Sequence, residues 1–413
     1  MARKKYLDGL RGLAALGVVA FHSSTFFSAA TWTETFGDVP NLVLSRFING
    51  NFMVCIFFLL SGYVLTIPRA ANPALPSGYW GELIIRRYFR LTPVALVSVI
   101  LLYILWGGIG IPNASMTDYG PGFAWMKNEY MFTPTLYDAV YNGIVGIYTG
   151  NFKYNLVLWT LRVELIGSVL LFCMFALFPK NKSFIVSSSI LSIIIIFLHY
   201  GGHLKYGIYI CLFFIGSLVY LTSLTIKQQK VKYTFFLLAL WLASISIYTP
   251  EGKWIAHTFS ISSSQMDAII HSIGAILLLL IVLSSKRLQK ILCIKPILWL
   301  GKISFSVYAI HSVIIFTIAL HIFILLVPLC QIRMAGLITY LFIFVASLIL
   351  AAILTKYVDT PSQHFAKWFS HWLINSDYAR SDKRERERER GFRCWLPITS
   401  VPYALHTPGW HKQ

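Results

Sequence analysis

The first apolar stretch of the chain, YLDGLRGLAALGVVAFHSS, contains Arg11 and His22. Eleven residues are about three helical turns, so on an α-helix the two side chains share nearly one face, roughly 16 Å apart along the axis. Ionisable groups inside a membrane helix are costly and mark functional positions. Three further segments carry groups suited to chemistry. LVLWTLRVELIG holds Glu164, which lies about 12 Å below the outer end of a helix that enters from outside. His22 lies about 21 Å above the inner end of its own helix, so the two are expected at one level. An imidazole that takes a proton and a carboxylate that orients it are the minimal parts of general base catalysis. GKISFSVYAIHSVIIF places Ser304, Tyr308 and His311 at i, i+4 and i+7, a polar stripe along one helix face. Such a stripe faces the bundle interior, where it forms interhelical hydrogen bonds or lines an aqueous cavity. RRYFRLTPV sets Arg86, Arg87 and Arg90 at the inner mouth of an apolar run. There guanidinium groups act as topology determinants or grip phosphate groups arriving from the cytoplasm.

The elements that must position these residues are transmembrane helices. The chain has 413 residues, of which 57% are hydrophobic and 12% charged, and its mean hydropathy is +0.67. A soluble chain carries about twice that charged share. Continuous apolar runs predict ten spans, at 8–30, 49–68, 91–111, 156–178, 183–200, 206–224, 233–249, 267–285, 303–328 and 334–355. The runs do not alternate, which argues against a β-barrel. The fold class is therefore all-α, a polytopic membrane helix bundle of about ten transmembrane helices. An even number puts both termini on one side. Lys and Arg concentrate in the ends and short loops of that side, so both termini are assigned to the cytoplasm. The net charge of +19 orients the chain in the lipid bilayer and needs no nucleic-acid partner.

Six cysteines lack metal spacing and show no disulfide framework, so no metal site is expected. The N-terminus resembles a signal peptide, but Arg11 interrupts its apolar core, and it reads as a retained first helix. The long outer segment 112–155 contains an apolar stretch, Leu136–Tyr148, too short to span; it is re-entrant or covers a site. Residues 1–372 read as one membrane domain. Residues 373–413 include the run KRERERER and read as a low-complexity, disordered cytoplasmic tail.

Taken in order, these motifs resemble the membrane-bound acyltransferases of the acyltransferase-3 type, which include bacterial O-acetylases of O-antigen and exopolysaccharide. The resemblance rests on LDGLRGLAALGVVAFHS with Arg11 and His22, IFFLLSGYVL, RRYFRLTP, LWTLRVE with Trp159 and Glu164, GKISFSVYAIH, and VDTPSQHF, where Asp359 stands in place of the usual Glu. It covers residues 6 to about 372. The resemblance implies transfer of an acyl group, most often acetyl from acetyl-CoA, to a carbohydrate hydroxyl such as one of a cell-surface polysaccharide, with no resident cofactor. It implies essential roles for Arg11 and His22, which with Glu164 form the expected catalytic set. Arg86, Arg87 and Arg90 are expected to hold the acyl-CoA donor, and Trp159, Ser304, Tyr308 and His311 to line the substrate site. It also implies an integral protein of a bacterial inner membrane. A proton-coupled carrier is the rival reading of buried His, Arg and Glu, but no internal repeat or paired broken helices support it.

Overall fold

In a computed structural model, the described residues are 4–27, 48–72, 75, 77–112, 129–178, 182–199, 204–246 and 249–374. They fold as helices, with no strand among them. The expected tail from residue 375 onward lies outside the described residues.

Among the described residues, ten helices of 16 residues or more occupy the ten expected positions. These are α1 (Lys5–Phe27), α2 (Gly50–Leu65), α3 (Ser77–Ile109), α4 (Trp159–Leu177) and α5 (Lys182–His199), then α6 (Leu204–Thr222), α7 (Gln229–Ser244), α8 (Ser263–Ser284), α9 (Lys295–Ile314) and α10 (Ile332–Leu354). Among the described residues, six segments are long and apolar enough to cross a membrane: those built on α2, α3, α4, α8, α9 and α10. The segments of α5 and α6 are apolar but shorter. α1 carries Asp8, Arg11 and His22, and α7 opens with Lys230 and Lys232, so both are more polar.

Local sequence sets several helix ends. The Asn49 side chain accepts from the Phe52 amide at the start of α2. Ser262 and Gln265 form a reciprocal capping box at the start of α8, which satisfies two amides that lack helical partners. Pro296 opens α9, where its missing N–H costs nothing.

α1 lies along α9, and α2 lies along α6. Both contacts depend on glycine. A Cβ on Gly301 would come 2.2 Å from the Asp8 carbonyl oxygen, and one on Gly12 would come 2.4 Å from the Gly301 amide nitrogen. In the second pair, a Cβ on Gly62 would meet the Phe213 carbonyl at 2.0 Å and one on Gly216 the Leu59 carbonyl at 2.2 Å. Lipid tails are as apolar as the helix surfaces, so helix association in a bilayer depends on such close backbone approach.

Two departures from regular helix shape the interior. After α10, residues Thr355–Asp359 form a π-helical turn in which the Thr360 amide bonds the Thr355 carbonyl, and the helix then runs on to Ile374. The described part of the segment between α3 and α4 folds back along α3. Its helical part, Leu136–Tyr141 followed by Asn142–Gly146 and Ile147–Thr149, packs along the middle of α3. Gly143 lies against Leu96, and the Tyr88 hydroxyl donates to the Ile144 carbonyl. Gly150, at φ 105°, reverses the chain. The returning strand of backbone is clasped by Lys153–Asp138 at 2.7 Å and by Asn142 donating to the Asn151 carbonyl. This return delivers Asn155 into the bundle. Its side chain donates to Ser98 and the Ala309 carbonyl and accepts from Ser312. α4 therefore starts deep in the bundle, beside the middle of α3 and α9.

The glycine contacts give a direct test. Gly301→Val is expected to lower the thermal midpoint sharply or abolish monodisperse protein in detergent, since overpacking of this kind costs about 1–3 kcal/mol or more. Gly107→Ala, where nothing lies within 4 Å of a new Cβ, is expected to leave the midpoint unchanged.

Candidate active site

α1, α2, α3, α4, α9 and the extension of α10 enclose a cavity of about 760 Å³. Its wall carries six cationic side chains, Lys5, Arg11, Arg86, Arg87, Arg90 and Lys302, against three carboxylates, Asp8, Glu164 and Asp359. The cations face inward because α1 and α3 each turn one face to the same space. Arg86, Arg87 and Arg90 occupy adjacent turns of α3, and Arg11 follows Asp8 and Lys5 on α1. The cavity therefore attracts anions.

The carboxylates tie down part of this charge. Arg87 pairs with Glu164 at 3.3 Å, and both side chains are well buried. Ser61 of α2 donates to the same Glu164 carboxylate at 3.0 Å. Arg86 approaches Glu82 at 3.8 Å and Arg11 approaches Asp8 at 4.0 Å. Arg90 makes no ion pair among the described residues, and its buried Nε has no hydrogen-bond partner. One Asp359 carboxylate oxygen is likewise buried without a partner. Arg90 is thus the guanidinium left with bonding capacity for a ligand.

Glu164 is not brought to His22. The expected common level assumed that α4 begins at the outer surface. The folded-back segment instead sets Asn155, just before α4, beside Ser98 and Ala309, so Glu164, nine residues further along, reaches Arg87. His22 does not line the cavity. Its ring faces that of His311, with centroids 5.3 Å apart, and also contacts Phe21. His22 is partly accessible, whereas His311 is fully buried.

The stripe on α9 is assembled as expected, with separate duties for its members. Ser304 and Tyr308 line the cavity. The Tyr308 hydroxyl, however, is committed to structure: it donates to the Val157 carbonyl at 2.7 Å and accepts from Thr160 at 2.9 Å. What it presents to the cavity is its ring, 6.1 Å from that of Phe57. The next ring along the face is His311, 5.8 Å from Tyr308. Its Nδ1 lies 3.2 Å from the Val307 carbonyl, and a carbonyl only accepts, so in the neutral ring the proton is on Nδ1 and the lone pair on Nε2. That Nε2 has no hydrogen-bond partner. Trp159 lies off the cavity and packs against Tyr206, Tyr209 and Phe58. It supports Phe58, which does line the cavity.

Sequence reasoning missed Asn155, Lys5, Lys302 and the free oxygen of Asp359. Asn155 directly precedes the apolar run of α4, and a polar amide at that point was its only signal. Among the described residues no group of His, Cys, Asp and Glu is arranged to hold a metal. The described cysteines are all free thiols.

This arrangement belongs to a membrane acyltransferase. A family model described as an acyltransferase domain, of the acyltransferase-3 type, matches residues 4–356, and the chain belongs to that family. It is also similar to the O-acetyltransferase PaAT-1 of Phomopsis amygdali, at 24% identity over 438 residues that cover 90% of this chain and 85% of that relative. No solved structure matches. The protein is an O-acyltransferase of an integral membrane type, and the carrier reading is set aside.

The Arg87–Glu164 pair predicts a marked asymmetry. Arg87→Ala leaves a buried carboxylate unpaired and is expected to destabilise by about 3–5 kcal/mol, whereas Arg87→Met with Glu164→Leu restores much of the loss. Thermal midpoints of the single and double variants in one detergent give the comparison.

Proposed function

We propose that the protein transfers an acetyl group from acetyl-CoA to a hydroxyl of a carbohydrate acceptor. The cavity wall carries the reading of the donor: cationic side chains outnumber carboxylates two to one, and Arg90 is unpaired. CoA is a polyanion, and guanidinium groups bind its phosphates in forked geometry. The family resemblance and the O-acetyltransferase relative support acetyl as the group and a hydroxyl as its target. The family resemblance supports a carbohydrate.

In this reading the nucleotide phosphates rest on Arg86 and Arg90 while Glu164 holds Arg87 in the wall. The pantetheine arm runs past Phe57 and the Tyr308 ring toward the His22–His311 pair. The rise from Arg11 to His22 is roughly 16 Å, comparable with an extended pantetheine. The acceptor reaches the accessible ring, His22. His22 takes the hydroxyl proton as the oxygen attacks the thioester carbonyl carbon. The carbon–sulfur bond then breaks, and the departing CoA thiolate recovers the proton from the imidazolium. His311 replaces Glu164 as the group beside His22, with a lone pair on Nε2 able to share that proton. Direct transfer of this kind leaves no acylated side chain.

The test is acetyl transfer by purified protein with labelled acetyl-CoA and a panel of glycans. His22→Gln is expected to lower kcat by about 10²- to 10⁴-fold, the usual contribution of a general base, with the folded yield unchanged. Arg90→Gln is expected to raise KM for acetyl-CoA about ten- to a hundredfold with a smaller effect on kcat, as for loss of a charged hydrogen bond. Full activity in His22→Gln would remove it as the base. Stable labelling of the protein by donor alone would replace direct transfer with a covalent route.

A further inference from the structure

Asp359 closes the π-helical turn after α10 and lines the cavity of the acyltransferase site. It is 3% exposed. One of its carboxylate oxygens is buried with no hydrogen-bond partner. None of the six cations of the cavity wall forms an ion pair with it among the described residues. A buried carboxylate without a partner is costly, and wide turns of this kind recur at functional sites. The transfer scheme gives Arg86 and Arg90 to phosphates and His22 to the acceptor, and leaves Asp359 without a role.

The depth of Asp359 follows from the neighbours of its own helix. One turn before it, Thr355 donates to Ser306 of α9 at 2.8 Å. Further along, Phe365 and Phe369 pack on Phe89 of α3, with ring centroids 5.9 and 4.7 Å away. Phe89 directly precedes Arg90. Asp359 therefore sits between the level of the α3 arginines and that of Ser306, which is within one turn of Tyr308 along α9. A donor with its phosphates on Arg86 and Arg90 and its thioester toward His22 passes this point with its pantetheine arm. The arm is uncharged and carries amide N–H groups. The charge of the wall narrows the choice in the same direction. A phosphate is repelled by the carboxylate, and a metal ion or an ammonium group by the surrounding cations. A neutral N–H suffers neither penalty and forms a charge-assisted hydrogen bond.

We propose that the Asp359 carboxylate accepts a hydrogen bond from an amide N–H of the donor's pantetheine arm, and so sets the register of the arm between the arginines and the histidine pair. The proposal rests on the reading of the donor as acyl-CoA and adds a selectivity to it: donors that carry a pantetheine arm gain this contact, and acyl phosphates do not. Without donor the carboxylate is unpaired and lowers the stability of the free protein.

The experiment measures binding of CoA, and of adenosine 3′,5′-bisphosphate, which lacks the arm, by calorimetry on the full chain in detergent. Wild type is compared with Asp359→Leu and Asp359→Asn, and thermal midpoints are recorded for all three. Asp359→Leu is expected to weaken CoA about tenfold, as for loss of a hydrogen bond to a charged group, and to leave the nucleotide unchanged. Its midpoint is expected to hold or rise, because an apolar side chain replaces a buried charge. Asp359→Asn keeps the shape and an acceptor oxygen, so its affinity for CoA is expected to fall between the other two. Equal weakening of CoA and the nucleotide would place the contact at the phosphates or base and overturn the proposal. Unchanged or tighter CoA binding in Asp359→Leu would overturn it as well, and so would a midpoint that falls sharply in both variants, which marks a structural role. Binding of neither probe to wild type would remove the acyl-CoA reading itself, and this proposal with it.

Discussion

In a bilayer, two apolar helices gain little by touching unless their backbones come close. The contact between α1 and α9 meets that condition through Gly12 and Gly301, and the rest of the site follows from it. α1 carries Arg11 and His22; α9 carries Ser304, Tyr308 and His311. With the backbones in contact at Gly12 and Gly301, the two polar faces open together into the cavity, and ten residues beyond each glycine His22 meets His311. A bulkier residue at the crossing would separate the faces and disperse both clusters. The crossing of α2 and α6 at Gly62 and Gly216 does the same for the opposite wall, where Ser61 is held against Glu164.

The polar groups within the bundle divide into those used up by structure and those left over. Asn155 illustrates the first kind: its amide bonds Ser98, Ser312 and a carbonyl of α9, and so ties the return of the folded-back segment to two helices. The Tyr308 hydroxyl and Glu164 are also spent on fixed partners. Within the apolar interior such networks hold geometry because the alternative is an unsatisfied group. Among the described residues that line the cavity or adjoin it, Arg90, one oxygen of Asp359 and Nε2 of His311 keep unused capacity. They lie in or beside the space between α3, α9 and α10, which is where a ligand has something to bond.

Much of this was readable in the sequence, because hydrophobic run length sets helix position almost by itself. The ten expected segments coincide with helices, and Arg11, Arg86, Arg87, Arg90, Glu164, Ser304 and Tyr308 do converge on one cavity. What could not be read was lateral and vertical placement. A depth counted along one helix assumes that the helix starts at the membrane surface, and α4 does not. A depth count alone therefore sets Glu164 beside His22, whereas its partner is Arg87. Residue type does not distinguish a group facing a ligand from one facing a neighbouring helix, and Trp159 and the hydroxyl of Tyr308 face helices. His271, which had no evident partner in the sequence, is bonded in the fold by the Ile245 carbonyl and by Asn51, which in turn accepts from Tyr209. Those partners lie on three other segments, and nothing in the spacing along α8 announces them.

The wide turn at Thr355–Asp359 contains one residue more than an α-helix would use over the same rise. A turn of this kind absorbs its extra residue locally, so the helix beyond it keeps its phase relative to α10. Thr360 and Gln363, which line the cavity, hold their facing because the surplus is taken up before them. Deleting one residue within the turn would restore the ordinary period and leave them facing the same wall, whereas a deletion beyond the turn, in regular helix, would swing every later side chain by about 100°. The wide turn is thus a place in this arm of the chamber where chain length can change without re-lining the wall.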